Sequence, residues 1–249
     1  MKFATYLINL DRAVERREFM EAQLQDLRLE YRRVPAVLGA DLEEPIKGFD
    51  ETGFKIRTGK HRNPGEIGCY FSHLNVLEAF LESEQEFALV LEDDAHLPAE
   101  LPGLLDAAMA RRKCWDLLRL SSSREGEYRP IADLDEKHQL VINLKVLKNT
   151  AAYFINRRAA AACLEQLRPM RLPYDVALDR DWTMNFRTAC IIPFPVKLSD
   201  HEGQIAKAPR VRLFRSTTFH LFHLLDRIRR RRWREQAFRE VKSYAAPSS

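Results

Sequence analysis

The sequence predicts an α/β fold in which a mixed, mostly parallel sheet is flanked by helices. The first observation is an unbroken apolar run, FALVL, at residues 87–91, which is typical of a strand covered on both faces. The second is a strand–turn–helix order at the N terminus, where residues 3–8 have strand composition and residues 13–27 have apolar positions at near-helical spacing. The third is the continued alternation of strand-like and helix-like segments as far as residue 198.

The first half of the chain contains one further strand, a loop and a helix. Residues 31–38 are predicted as a strand. Residues 39–62 hold four glycines and little apolar periodicity, so we expect a long loop there. The sequence NPGE at residues 63–66 is a helix-start pattern, and the helix that follows has an apolar face that we expect to be buried. The members of this face are Ile67, Tyr70, Phe71, Leu74, Leu77 and Leu81.

The second half of the chain continues in the same way. Strands are predicted at residues 115–120, 139–146, 151–155 and 190–198, and helices at residues 99–112 and 157–167. Residues 124–137 are polar and rich in turn-forming residues, so no regular element is expected there. Because Pro193 and Pro195 interrupt the last strand, we expect it at an edge of the sheet.

Three carboxylates, Glu92, Asp93 and Asp94, follow the apolar run at once. Ligands of open α/β sheets bind beyond the carboxyl ends of the strands, and Mg²⁺ or Mn²⁺ is held by carboxylates together with substrate phosphates. At strand spacing Glu92 and Asp94 point to one side and Asp93 to the other, which favours a cation between the first two. The alternative is that Asp93 or Asp94 caps the helix expected to begin near Pro98. Composition alone leaves both interpretations open.

Other polar residues with useful chemistry lie in the N-terminal turn and on two helices. The turn after the first strand and the helix that follows it hold Asn9, Asp11, Arg12 and Arg16. Backbone N–H and guanidinium groups there can face a ligand, or the charges can form exposed pairs at a helix start. Ser72 and His73 lie within an apolar helix, where a buried histidine with satisfied hydrogen bonds is the favoured interpretation. Asp175 and Asp179 are four residues apart and so share a helical face.

Composition excludes several classes of protein. The 249 residues suffice for one large domain or two small ones, and no stretch approaches the roughly 18 apolar residues of a membrane span. The four cysteines are widely spaced without a CxxC pair, which argues against a zinc site or a disulfide framework. The N-terminal apolar stretch is short and lacks a small-residue cleavage site, so we expect no signal peptide and a cytoplasmic location.

The formal charge of +4 is unevenly distributed along the chain. Residues 205–249 hold 12 Lys/Arg and 3 Asp/Glu, a net of +9, so the first 204 residues carry −5. We therefore expect a domain at residues 1–205 and a basic, amphipathic helical extension at residues 206–249. Such a helix can lie on an anionic membrane surface, or it can dock on the body with its arginines solvated.

Five motifs occur in the order in which one protein family carries them. They are INLDRAVERR at residues 8–17, GEIGCYFSHL at 65–74, LEDDAHL at 91–97, AAYFINRRAAAACL at 151–164 and PYDVALD at 173–179. Together they resemble glycosyltransferase family 25, the lipooligosaccharide galactosyltransferases of Gram-negative bacteria and their collagen-modifying relatives. The resemblance covers most of residues 3–205, and its specific part is GEIGCxxSH combined with LEDD.

The resemblance implies a GT-A-like fold, a UDP-sugar donor (usually UDP-galactose), inversion at the anomeric carbon and a divalent cation, Mn²⁺ first and Mg²⁺ second. The implied metal ligands are Glu92 and Asp94, and the implied donor-binding residues are Asn9, Leu10, Arg12, Arg16, Ser72, His73 and Asp93. The reaction also needs a base for the acceptor hydroxyl, for which our candidates are Asp175 and Asp179, with Asp181 third. We expect a lipid-linked oligosaccharide acceptor of the lipooligosaccharide or LPS core, and a protein peripheral to the inner face of the inner membrane.

Three alternatives remain open. A nucleotidyltransferase would share the strand and the acids, but it normally carries a Gly-rich N-terminal loop that this sequence lacks. A nucleic-acid-binding module would use the arginine run at residues 227–234, but the acidic body weighs against it, and we expect no nucleic-acid partner. The third alternative is a catalytically inactive family member. The chain departs from the family pattern at residues 199–205, which leaves the roles of His201, Glu202 and Gln204 open.

Overall fold

Strands and helices alternate along the computed structural model, which describes residues 3–198 and 209–245. The strands are β1 (Ala4–Asn9), β2 (Arg32–Pro35), β3 (Phe87–Glu92), β4 (Ala95–His96), β5 (Leu117–Arg119), β6 (Tyr128–Asp133), β7 (Gln139–Asn143), β8 (Ala152–Asn156), β9 (Thr188–Ile192) and β10 (Lys197–Leu198). The helices are α1 (Val14–Asp26), α2 (Glu51–Thr58), α3 (Pro64–Glu82), α4 (Leu101–Ala110), α5 (Arg157–Gln166), α6 (Tyr174–Leu178), α7 (Asp181–Met184), α8 (Arg212–Ser216) and α9 (Thr218–Ala245). His201, Glu202 and Gln204 lie outside the described residues.

Eight strands form one sheet in the order β2-β1-β3-β8-β5-β9-β7-β6. β1 pairs in parallel with β2 and β3, and β5 pairs in parallel with β9. β8 is antiparallel to its neighbours β3 and β5, and β7 is antiparallel to β9 and β6. Within this sheet only β7 and β8 are thus reversed, which confirms the predicted mixed, mostly parallel sheet flanked by helices. β4 and β10 form a separate antiparallel pair.

β3 lies in the interior of the sheet, and its side chains alternate between two apolar layers. Leu89 and Leu91 pack on one face with residues of α1 and α4, whereas Ala88 and Val90 pack on the other with residues of α3 and α5. All four side chains are fully buried. Burial of a large aliphatic side chain stabilises a fold by about 1.5–3 kcal/mol, so β3 holds the acids that follow it in a fixed position.

α3 begins where the sequence predicts. Asn63 Oδ1 accepts a hydrogen bond from Gly65 N (2.8 Å), and Pro64 takes the first helical position, where its missing N–H has no helical partner to lose. Gly68 on the same helix touches the loop after β2 so closely that a Cβ would lie 2.3 Å from Val37 O. That loop therefore rests directly on the helix, at a position that only glycine fits.

The expectation of a long loop at residues 39–62 is wrong, because this segment contains α2. Asp50 Oδ1 caps the start of the helix by accepting a hydrogen bond from Gly53 N (2.8 Å), and Gly59 ends it in the left-handed region (φ 61°). Phe54, on the inner face of this helix, is fully buried. A helix of eight residues offers little periodicity, and its glycines favour a loop on composition alone.

Two expectations about strands are also wrong. Residues 124–137 contain β6, which pairs with β7 at the outer edge of the sheet. Its side chains are only partly buried, so its apolar alternation is weak. β9 lies between β5 and β7 instead of at an edge, because it ends at Ile192, before Pro193 and Pro195.

The described part of the C-terminal extension is docked on the rest of the chain. α9 packs against α2, α7, β6 and β7, and Ala237 and Val241 are buried in the apolar layer that contains residues of α1 and α4. The predicted boundary between residues 205 and 206 lies outside the described residues. Among the described helices none has the length and apolar character needed to cross a membrane.

The close contact between α3 and the loop after β2 predicts opposite effects of two alanine substitutions. Gly68→Ala should destabilise the protein by about 1–3 kcal/mol, because the new methyl group meets Val37 O. A Cβ at Gly103, on the exposed side of α4, would have no atom within 4 Å, so Gly103→Ala should stabilise the protein by up to about 1 kcal/mol. Urea unfolding measures both. Equal effects of the two substitutions would contradict the contact.

Candidate active site

Three carboxylates lie at the carboxyl end of β3, as the sequence predicts. The strand ends at Glu92, and Asp93 and Asp94 follow in a turn. The strand alternation used to place Glu92 and Asp94 on one side does not extend past Glu92, because a turn does not keep the two-residue period of a strand. Asp93 and Asp94 both approach Arg16, which forms an ion pair with Asp93 and lies 3.6 Å from Asp94 Oδ2.

Glu92 faces α3 and the loop before β8. Its Oε1 accepts a hydrogen bond from Thr150 Oγ1 (2.8 Å) and lies 3.2 Å from His73 Nε2. Burial raises the pKa of this carboxyl, but the hydrogen bonds from His73 and Thr150 outweigh burial, and the pKa of Glu92 ends below its ordinary value. Glu92 is therefore held ionised. Both of these contacts use Oε1, and Oε2 makes no hydrogen bond to a described residue.

His73 is fully buried, and both of its ring nitrogens are used inside the protein. Nδ1 lies 3.2 Å from Tyr153 OH, and the ring stacks on Tyr174 with centroids 4.1 Å apart. This arrangement agrees with a buried, satisfied histidine. His73 therefore acts on the site through Glu92, whose carboxylate it fixes by the contact between Nε2 and Oε1.

Asn9 connects the end of β1 to the acidic turn. Its Nδ2 donates to Asp93 Oδ2 (2.7 Å) and to Ala13 O (3.0 Å), and its Oδ1 accepts from Arg33 Nε (3.2 Å). Burial raises the pKa of Asp93, although the hydrogen bond from Asn9 and the charge of Arg16 oppose it. Asn9 is itself buried, so its contribution is to fix the turn against the start of α1.

Asp94 carries a charge that its surroundings compensate only in part, through Arg16. Its Oδ1 is buried and makes no hydrogen bond to the described residues. Burial and then the negative charge of Glu92 raise the pKa of Asp94 to about 6. A bound cation would satisfy such an oxygen, and two carboxylates supply the oxygen ligands that Mn²⁺ and Mg²⁺ prefer. Glu92 and Asp94 therefore fit the expected cation.

A second group of metal-binding residue types adjoins the first. One ligand atom from each of Cys69, His73 and Glu92 lies within 4.8 Å of the other two. Sulfur and imidazole suit zinc better than Mn²⁺. Burial and then the nearby carboxylates, Glu92 first, raise the pKa of Cys69 well above its ordinary value, so its sulfur stays a protonated thiol. The oxygens of Glu92 and Asp94 are thus the better match to a hard cation.

The remaining expected donor-binding residues have different surroundings. Arg12 is exposed in the turn before α1 and forms no ion pair with the described residues, and Leu10 is half-buried beside it. Ser72 is buried, with its Oγ donating to Gly68 O (2.7 Å) and accepting from Val37 N (2.8 Å). Its hydroxyl group therefore ties α3 to the loop after β2, whereas Arg12 is open to a ligand.

Asp175 and Asp179, near the two ends of α6, have unlike partners. Asp175 is half-buried, its Oδ2 accepts from Asn149 N (3.3 Å), and no described arginine or lysine forms an ion pair with it. Asp179 is fully buried, with Oδ1 2.9 Å from Arg234 Nη2 and Oδ2 3.2 Å from Arg230 Nε. A carboxylate that is neutralised by two arginines and closed to solvent is poorly suited to take a proton from a substrate. The structure thus favours Asp175 over Asp179 as the base.

Arg234 on α9 is the centre of a buried network that sequence reasoning does not find. Its five N–H groups are all used. Their acceptors are Asp181 Oδ2 (3.2 Å), Asn143 O (2.9 Å), Lys145 O (3.1 Å), Asp179 O (3.1 Å) and Asp179 Oδ1 (2.9 Å). In the sequence Arg234 is one member of an arginine run, and neither spacing nor periodicity separates it from its exposed neighbours.

Two further residues of the site follow from sheet pairing. Thr150 reaches Glu92 because β8 lies next to β3 and runs antiparallel to it, which places the start of one strand beside the end of the other. Arg119 on β5 is fully buried and donates to Asn149 O, while its Nε and Nη1 have no hydrogen-bond partner among the described residues. The sequence predicts β3, β5 and β8 as strands, but it does not show that β8 lies between the other two.

The chain is similar to known proteins of one family, which confirms the resemblance seen in its motifs. The family model described as glycosyltransferase family 25 (LPS biosynthesis protein) matches residues 3–178. A glycosyltransferase 25 family member of Anopheles gambiae is 30% identical over 234 residues, covering 81% of this chain and 38% of that protein. Procollagen galactosyltransferase 1-B of Xenopus laevis is 30% identical over 213 residues, covering 77% of this chain and 34% of that protein.

The chain thus spans between 34% and 38% of the length of these two relatives. Among solved structures, the mannose-1-phosphate geranyltransferase from Thermus thermophilus is similar at 14% identity with a TM-score of 0.35. That similarity covers 79% of this chain and 76% of the other.

Binding of Mn²⁺ to the protein should depend on Asp94 and on pH. Because the pKa of Asp94 is raised to about 6, its carboxylate is protonated below that pH, and Mn²⁺ affinity should fall by up to about tenfold for each further pH unit. Calorimetric titration measures the affinity. Asp94→Asn should abolish binding, whereas Cys69→Ser should leave it unchanged. Loss of Mn²⁺ binding in Cys69→Ser but not in Asp94→Asn would place the cation in the sulfur-containing group instead.

The buried network of Arg234 predicts a large loss of stability. Arg234→Met should lower the free energy of unfolding by about 3–5 kcal/mol, because Asp179 and Asp181 would be left as buried charges with too few partners. Arg239→Met, on the exposed side of the same helix, should change it by less than about 0.5 kcal/mol. Urea unfolding compares the two variants. Similar small losses in both would mean that the network does not hold α9 in place.

Proposed function

This chain belongs to glycosyltransferase family 25, and on that premise we propose that it transfers a hexose from a UDP-sugar to an oligosaccharide acceptor. Galactose is the favoured hexose. The observation that carries the proposal is the acid cluster at the end of β3, where Asp94 Oδ1 has no described partner and Arg16 lies alongside. The relative named a procollagen galactosyltransferase supports galactose as the transferred sugar. The family description as an LPS biosynthesis protein supports an acceptor of the LPS core.

The donor diphosphate would bind near the start of α1. Arg12 is exposed there, and Arg16 already extends to the acidic turn. Guanidinium groups bind phosphate oxygens through charge-assisted hydrogen bonds, and the first N–H groups of a helix add to an anion site. Asn9 and Leu10, at the end of β1, would then lie at the uridine end of the donor.

Glu92 and Asp94 would hold the divalent cation, for which Mn²⁺ is preferred to Mg²⁺. Such a cation supplies Lewis-acid stabilisation of the charge that develops on the leaving diphosphate. The protein contributes the positions of the two carboxylates. Thr150 and His73 keep Glu92 ionised and fixed, and Arg16 holds the turn that carries Asp94.

Asp175 is the proposed base. Its carboxylate takes the proton of the acceptor hydroxyl while the hydroxyl oxygen attacks the anomeric carbon and the bond to the UDP oxygen breaks. Attack from the face opposite to the leaving group inverts the configuration. Asn149 N holds Asp175 Oδ2 at 3.3 Å. Asp179 and Asp181 are not proposed for this role, because both are fully buried and paired with Arg234.

The base assignment predicts a selective loss of turnover. Asp175→Asn should lower kcat by about 10²–10⁴-fold, since a positioned base typically contributes that much, and should leave UDP binding unchanged because the base acts on the acceptor. Glu84→Gln, which removes an exposed acid after α3, is the control and should keep full activity. If Asp175→Asn retains more than about a tenth of the wild-type rate, another group is the base.

The donor and the reaction are tested by mass spectrometry. The wild-type protein is incubated with Mn²⁺, a set of UDP-sugars and simple glycoside acceptors, and we expect a hexose-extended product from UDP-galactose. Asp94→Asn and addition of EDTA should each remove the product. The absence of transfer from every UDP-sugar tried, under conditions in which the protein is folded, would contradict the proposed activity.

We further propose that the acceptor is lipid-linked and that the exposed side of α9 binds an anionic membrane. Leu221 and Leu225 are 60% and 42% exposed, and their spacing of four residues places them on one face of the helix. Arg229 and Arg232 are exposed on the same helix, after Leu225, and apolar residues next to basic ones favour binding to anionic lipid. A location on the inner face of the inner membrane would follow from this proposal.

Vesicle co-sedimentation tests the membrane proposal. The wild-type protein should pellet with anionic vesicles and not with neutral ones, and Leu221→Ser combined with Leu225→Ser should abolish pelleting. Val14→Ser on α1 removes an apolar side chain that is also 42% exposed, and it should have no effect. Equal pelleting of the double variant and the wild type would rule out this face of α9 as the membrane contact.

A further inference from the structure

A cleft of about 1010 Å³ lies between α9 and the body of the protein. One wall comes from α8 and α9. The other comes from residues 144–148, from residues 172–176, from the segment before β6, and from Thr58 and Lys60 at the end of α2. Pro173 and Val176, which line it, flank Asp175 in the chain. Lys148, which also lines it, precedes Asn149, whose backbone N–H donates to Asp175. The cleft therefore adjoins the proposed base.

The walls of the cleft are strongly cationic. Eight lysine and arginine side chains line it, against two glutamates. The cations are Lys60, Arg124, Lys145, Lys148, Arg215, Arg227, Arg230 and Arg231. Three of these form ion pairs, namely Lys60 with Glu66, Arg230 with Asp179 and Arg231 with Glu127.

Five of the cleft cations form no ion pair with a described carboxylate, namely Arg124, Lys145, Lys148, Arg215 and Arg227. His223, on the α9 wall, is affected by this excess of positive charge. Burial and then the charges of neighbouring cations, Arg230 first, lower the pKa of His223 to about 4. The ring is therefore neutral at pH 7, and the cleft attracts anions without help from it.

The cleft is separate from the proposed donor site. None of the residues assigned to the donor or to the cation lines it, so its charge is not needed for the UDP diphosphate. The walls also include apolar groups, among them Leu172, Phe219 and Ile228. Such groups can pack against the apolar faces that the C–H groups of sugar rings form. A ligand that combines sugar rings with anionic groups matches both features.

We propose that this cleft is the acceptor subsite and that its free cations bind phosphate groups carried by the acceptor saccharide. The inference rests on the proposed function and names the chemical class of its acceptor as a phosphorylated oligosaccharide. Lysine and arginine recognise phosphate through charge-assisted hydrogen bonds. A phosphate held by Lys148 and Arg227 would fix the saccharide beside α6, with its reacting hydroxyl group next to Asp175.

Calorimetry with a sugar phosphate tests the subsite directly. Glucose 6-phosphate is titrated into the 249-residue chain with Mn²⁺ and saturating UDP present, so that the donor site is filled, and glucose serves as the uncharged probe. Lys148→Gln combined with Arg227→Gln should weaken glucose 6-phosphate binding by about tenfold or more. Lys242→Gln combined with Arg239→Gln removes the same two residue types from α9 outside the cleft, and it should change binding by less than about twofold.

Transfer assays separate the subsite from the activity itself. With a phosphorylated and a neutral glycoside as acceptors, the Lys148–Arg227 double variant should raise KM only for the phosphorylated one and leave kcat unchanged. If no acceptor is extended but glucose 6-phosphate binding still depends on these two cations, the proposed function fails while the phosphosugar site stands. Equal glucose 6-phosphate binding by the wild type and the double variant, or no binding by the wild type, overturns the inference.

An anionic lipid headgroup carries the same chemistry as a sugar phosphate, and vesicles distinguish the two sources. The Lys148–Arg227 double variant should still pellet with anionic vesicles, because the proposed membrane contact is the exposed apolar side of α9. Loss of pelleting with unchanged glucose 6-phosphate binding would show that the cleft binds headgroups instead, and would overturn the acceptor assignment.

Discussion

The buried ion pairs of Arg234 with Asp179 and Asp181 join the C-terminal helix to the segment where α6 ends and α7 begins. Desolvating three charges is expensive, and it is tolerated here because every N–H group of the guanidinium finds an acceptor. Two of those acceptors are the carbonyl groups of Asn143 and Lys145. The network therefore fixes both α9 and the segment that leaves β7.

That segment donates hydrogen bonds to two carboxylates of the site, Asp175 and Glu92. Leu147 N donates to Asp179 Oδ2 (3.3 Å), and Asn149 N donates to Asp175 Oδ2 (3.3 Å). The next residue, Thr150, donates to Glu92. A single stretch of eight residues, 143–150, thus runs from the Arg234 network past the proposed base to the proposed metal ligand. The described C-terminal helix is for this reason part of the architecture of the site, although its composition resembles that of a separate basic tail.

The features that could be predicted from sequence are those whose signal is local. The apolar run of β3 and the acids after it, or the Asn63 cap and apolar face of α3, are visible without knowledge of any neighbour. α2 and β6 escape prediction because a short helix and an exposed edge strand have weak periodicity. Composition and spacing predict the acids of the site, and the family resemblance adds Asn9, Arg16 and His73 without showing which contacts they make. Arg234, Thr150 and His73 act through tertiary partners, and nothing in an arginine run shows which member is buried.

Residues 145–150 reach two opposite electrostatic environments, because Lys145 and Lys148 line the basic cleft and Thr150 donates to Glu92. At the end of β3, burial and the charge of Glu92 raise the pKa of Asp94 to about 6, so this region favours a cation. In the cleft beside α9, burial and the charge of Arg230 lower the pKa of His223 to about 4, so that region favours an anion. The diphosphate of the proposed UDP-sugar donor and a phosphate group on the proposed acceptor are both anionic, and in one shared basic site they would compete. In the proposed arrangement, separate regions of opposite sign let each substrate reach its own position.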